Sequence, residues 1–63
     1  MDKSIAERLV KARGKKPRTV VARDLGIKYS TMCAYESGER RPSDKIKQRI
    51  ADYYGITIQE LFY

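Results

Sequence analysis

Sixty-three residues make one small domain at most, with a thin core and no room for a large cofactor, since a chain this short buries only about 60% of its unfolded surface. Cys33 is the single cysteine, which excludes an internal disulfide and favours a reducing, cytoplasmic setting. The formal charge is +6, and all of the excess lies between Met1 and Pro42, where eleven Lys/Arg face five acids, whereas Ser43–Tyr63 carries three of each.

A basic half of this kind suits a polyanion. Membrane-surface binding needs a long amphipathic helix with exposed bulky apolar residues, and none is visible. Signal peptide, transmembrane run, low-complexity tract and internal repeat are all missing from these 63 residues. No histidine, Gly-rich phosphate loop, metal-ligand cluster or facing carboxylate pair suggests catalysis, so neither an enzyme nor a cofactor is expected.

In chain order, a first helix is expected over about 4–13, with Ser4 and Glu7 as a capping box and Ile5, Leu9 and Ala12 as the core stripe. Gly14 ends it. The Lys15-Lys16 loop that follows is either simply solvated or touches an anion. A second helix starts at Pro17 or Arg18, because proline suits the first helical position. Its free N–H groups and positive dipole end, with Arg18 beside them, suit a phosphate. Val21, Ala22 and Leu25 form its apolar stripe, and Gly26 ends it where positive φ is needed.

A third helix follows from Lys28 or Tyr29 to about Ser37, with Met32 and Tyr35 inward. So tight a glycine turn makes the two helices cross steeply, and Ala22 supplies the small residue at the approach. That is the helix-turn-helix plan, whose second helix enters the DNA major groove. The helical period turns Ser30, Cys33, Ala34 and Ser37 outward. In a chain that is 35% charged, so small and neutral a face is either a poorly optimised surface or one shaped to lie against base edges. Lys28 at the N-cap is a locally poor choice, costing roughly 1 kcal/mol against Ser or Asp, which suggests an anion or guanine contact.

After Gly38, the Glu39-Arg40-Arg41-Pro42 loop flanks this face with two arginines. Ser43 caps a fourth helix to about Tyr54, with Ile46, Ile50, Ala51 and Tyr54 inward, and Gly55 stops it. Thr57, paired with Glu60, caps a last short helix burying Ile58 and Leu61. Tyr53, Phe62 and Tyr63 serve either the core or a dimer patch. Five helices and no strand define an all-α fold filling residues 1–63.

Ala22, Gly26, Ile27, Met32 and Tyr35, then Glu36-x-Gly38-x-Arg40-x-Pro42-Ser43, then Ile50-Ala51-x-x-Tyr54-Gly55-Ile56-Thr57-x-x-Glu60-Leu61-Phe62, stand together in register. In this the chain resembles the phage repressor/Cro type of helix-turn-helix regulators, from about Ile5 to Phe62. The resemblance implies a five-helix, lambda-repressor-like domain that binds operator DNA, usually as a homodimer and often as a repressor in a bacterial or phage-infected cell. It puts base reading on Tyr29, Ser30 and Ala34, with Lys28 and Cys33 beside them. Phosphate contacts fall to Arg18, which replaces the family's glutamine, and to Lys28, Arg40 and Arg41. It also implies that Arg13 pairs with Glu36 for structural reasons. Lys47 and Gln48 stand where leucines are common, with Ile46 expected to compensate. Cys33 is read as a small filler, or as a redox switch on the docking face. The alternative function is an antitoxin-like or other protein-binding module on the same fold, using the neutral C-terminal half. The end at Leu61-Phe62 favours a complete small regulator.

Overall fold

The computed structural model describes residues 3–63, and among them only helices form regular structure. They are α1 (Lys3–Arg13), α2 (Arg18–Leu25), α3 (Tyr29–Ser37), α4 (Asp44–Tyr54) and α5 (Ile58–Phe62). The caps explain the boundaries. The Ser43 hydroxyl accepts from the Ile46 N–H at 3.3 Å and the Thr57 hydroxyl from the Glu60 N–H at 3.1 Å, satisfying amides that have no partner inside the helix. The start of α1 differs from expectation. The helix begins at Lys3, so Ser4 is its second residue. Pro17 is the N-cap of α2, extended at ψ 142°, and its carbonyl receives the Val21 N–H at 3.2 Å.

The turn between α2 and α3 depends on Gly26. Its φ of 71° lets its own N–H reach the Arg23 carbonyl and the Ile27 N–H reach the Ala22 carbonyl at 3.0 Å. A Cβ there would meet nothing closer than the Arg49 guanidinium at 3.6 Å, so any other residue suffers from the left-handed backbone and not from crowding, by about 1–2 kcal/mol.

One core draws on every helix: Leu9 from α1; Val21, Ala22 and Leu25 from α2; Met32 and Tyr35 from α3; Ile50 and Ala51 from α4; Leu61 and Phe62 from α5. Ile5, Ala12, Ile46, Tyr54 and Ile58 pack around it half-buried. Phe62 is therefore a core residue, whereas Tyr63 is 72% exposed. Lys47 is the unexpected buried residue, at 7% exposure. Its methylene stem takes the space a leucine would fill, and its ammonium emerges 5.7 Å from the Phe62 ring centre and 5.1 Å from that of Tyr63. Asp44 stands 3.9 Å from that ammonium but is itself almost fully exposed, so the pair adds little.

α4 also braces the turn. Arg49 donates to the carbonyl of Leu25, the last residue of α2, at 2.6 Å. A cation at a helix C-terminus answers both the unpaired carbonyl and the negative end of the dipole.

Candidate nucleic-acid interface

With Met32 and Tyr35 committed to the core, α3 turns its other side outward. Tyr29, Ser30 and Ser37 are exposed, and Cys33 and Ala34 are half-buried between them. These five residues line one shallow depression together with Arg18 and Glu39. Tyr29, Ser30, Cys33 and Ala34 thus lie together on one surface. Ser37 satisfies its hydroxyl locally, donating to the Ala34 carbonyl at 3.1 Å. Lys28 is the N-cap, extended at ψ 149°, and makes no side-chain cap bond, so its ammonium is not engaged with the helix end. Beyond Gly38, the N–H groups of Glu39 and Arg40 bond the Ala34 carbonyl at 3.0 and 3.3 Å, holding the following loop against the end of α3. Arg40 and Arg41 are exposed on that loop, while Pro42 is buried beneath it.

Behind this face lies a chain of charges. The Glu36 side chain is only 4% exposed, and Arg13 donates from Nε to its Oε2 at 2.8 Å. Arg13 also bonds the Lys16 carbonyl at 2.9 Å, so one guanidinium joins α1, the loop after it and α3. The other carboxylate oxygen, Oε1, faces Arg18 Nε at 3.4 Å, a charge contact that falls short of an aligned hydrogen bond. Arg18, expected as a phosphate ligand at the start of α2, is folded across α3. Its Nη1 donates to Cys33 Sγ at 3.5 Å. That bond, and then the Glu36 charge, raise the Arg18 pKa further above its ordinary value.

Lys16 remains exposed but is tied to the protein. It donates to the Tyr53 hydroxyl at 3.0 Å, and Tyr53 in turn donates to Asp24 Oδ2 at 2.6 Å. The bond to Tyr53 is the main reason the Lys16 pKa is raised. Tyr53 thus ties the α1–α2 loop, α2 and α4 together. Asp24 is the acceptor at the end of that relay. Nothing local signals these pairings, since the partners are 37 and 29 residues apart.

Tyr54 packs edge-on to Tyr53, with ring centres 5.4 Å apart, and its buried hydroxyl finds no hydrogen-bond partner among the described residues. Burial, with the Glu36 charge adding to it, pushes its pKa from 10 up to about 12. The folded state prefers the neutral phenol, so this contribution to stability is complete below pH 10 and is lost as pH rises through about 12. Tyr54→Phe removes an unsatisfied hydroxyl and is expected to be within about 1 kcal/mol of wild type, or more stable. Urea titrations at neutral pH and above pH 10 check this: the variant should lose less stability than wild type on the alkaline side.

The comparisons with known proteins agree with the all-helical fold. A family model for the helix-turn-helix matches residues 5–61, and the chain belongs to that family, a class of all-α, DNA-binding domains used in transcription regulation. It is similar to an HTH-type transcriptional regulator of Methanocaldococcus jannaschii, 36% identical over 42 residues. The aligned stretch is 67% of this chain and 64% of that protein, so it spans less than two thirds of the relative's length. No solved structure matches the chain. Among the described residues, no helix is long and apolar enough to cross a membrane.

Proposed function

We propose that this chain is a sequence-specific double-stranded DNA-binding regulator, a repressor acting as a homodimer in the cytoplasm, that seats α3 in the major groove. The observation that carries this reading is the outward side of α3: its own side chains are uncharged and mostly small, and it is backed by the core, with Lys28 at one end and Arg40 and Arg41 beyond the other. Small side chains bring a helix backbone close to the base edges. The Tyr29 hydroxyl donates or accepts while its ring meets a thymine methyl, Ser30 bonds several bases, and the Ala34 methyl suits thymine. Lys28, Arg40 and Arg41 fix the register through phosphate, which carries no sequence information itself.

Selection of duplexes from a random pool tests this reading. The wild-type chain is expected to enrich an inverted repeat, the signature of two-fold symmetric reading. Tyr29→Ala and Ser30→Ala should each change the preferred base at their own positions. Arg40→Ala should weaken all duplexes about equally. An unaltered preference in Tyr29→Ala removes that residue from the readers, and a pool that stays unenriched for wild type argues for a protein partner on the neutral C-terminal half.

A further inference from the structure

The proposed readers share a weakness. Tyr29, Ser30, Cys33 and Ala34 have no rigid pair of donors, so none of them separates one base pair from the other three with a two-point contact. Arg18 supplies what they lack. Its side chain starts at the first residue of α2 yet ends on the outward side of α3, with Nη1 3.5 Å from Cys33 Sγ and Nε 3.4 Å from Glu36 Oε1. Cys33 and Glu36 are almost one turn apart on α3, so the guanidinium lies along the middle of that helix, in the depression shared by Tyr29, Ser30 and Ala34. We propose that, in an α3 that binds DNA as above, Arg18 is a base reader that takes the O6/N7 edge of a guanine, with Glu36 as the residue that positions it.

Three features point this way. Glu36 is 4% exposed and is itself held by Arg13 at 2.8 Å, so it is a fixed post and cannot follow Arg18 outward. It faces the Nε edge of the guanidinium, which leaves the two terminal nitrogens for a ligand. The thiol at Nη1 is a weak acceptor at long range, and guanine oxygen and nitrogen compete with it easily. A planar fork whose orientation is set beforehand loses little freedom when it docks, and its place beside Tyr29, Ser30 and Ala34, the proposed readers, sets it toward a base edge. The smallness of Cys33 and Ala34 has a use in this arrangement: a longer side chain at either position would occupy the space where Arg18 lies. The Arg13–Glu36–Arg18 set carries a net positive charge, so the pairing with Glu36 leaves the fork attractive to guanine acceptors.

Arg18 is 44% exposed, so its replacement leaves the core intact, and circular dichroism of each variant verifies that. Pool selection and salt titration are run on wild type, Arg18→Ala and Arg18→Lys. Wild type should select a guanine at one position of each half-site. Arg18→Ala should lose that preference by roughly 10- to 100-fold at that position alone. Arg18→Lys keeps the charge without the fork, so it should hold the salt slope of wild type and lose most of the guanine preference. If Arg18→Ala keeps every base preference and instead lowers the salt slope by about one, Arg18 is a phosphate anchor and the proposal is overturned. Wild type that retains duplex without selecting a guanine also overturns it while leaving the DNA-binding reading standing; wild type that retains no duplex at all removes both.

Discussion

Arg13→Met is expected to lose a third or more of the protein's folding stability. Arg13 is the near partner of Glu36, at 2.8 Å, and the Glu36 side chain is 4% exposed. Removing one member of a buried ion pair strands the other and costs about 3–5 kcal/mol. A folded chain of this length has only about 3–9 kcal/mol in total. Arg18 remains 3.4 Å from the second carboxylate oxygen, which places the loss near the lower end of that range. The variant also forfeits the bond from Arg13 to the Lys16 carbonyl, which helps fix the loop into α2. Arg13→Met combined with Glu36→Leu removes both charges and should recover most of the stability, because two apolar residues of similar volume often replace a buried pair without loss. Urea denaturation followed by circular dichroism gives the comparison. A single variant as stable as wild type would show that the pair is not structural.

The second large effect is on DNA. A dimer making roughly six to ten phosphate contacts should lose about 10³–10⁵ in affinity between 50 and 200 mM salt, because each neutralised phosphate releases condensed counterions. Arg40→Ala and Arg41→Ala should each make that dependence shallower by about one unit of slope for every phosphate the variant leaves unneutralised. Fluorescence anisotropy over a salt series measures this directly. A nearly flat dependence would mean that the basic half is not what holds the ligand, whatever the fold.

The helices were legible because this chain punctuates itself. Gly14, Gly26, Gly38 and Gly55 all take positive φ, and Ser43 and Thr57 cap the helices that follow them. Both signals are local, so they survive without tertiary information. The start of α1 is harder to fix, because a serine followed three residues later by a glutamate occurs both at a helix start and inside one. Lys47 was hidden for another reason. Composition puts lysine at the surface, and only the aromatic end of α5 makes a buried stem and an emergent ammonium possible at that place.

The candidate site divides in the same way. Which side of α3 faces outward follows from the 3.6-residue period once Met32 and Tyr35 are inside. The course of the Arg18 side chain does not follow from any period. It depends on where Glu36 points, which in turn depends on Arg13, 23 residues earlier. The Lys16–Tyr53–Asp24 relay and the Arg49 bond to Leu25 are of the same kind, since each needs elements brought together by the finished fold.

The most direct measurement of the central claim is an amide chemical-shift map of the isotope-labelled protein titrated with duplex DNA at low ionic strength. The expected result is that the largest changes fall on Tyr29–Ser37, the N-terminal turn of α2, and the Arg40-Arg41 loop, with α5 nearly silent. Changes confined to α4 and α5, with α3 unmoved, would contradict the account.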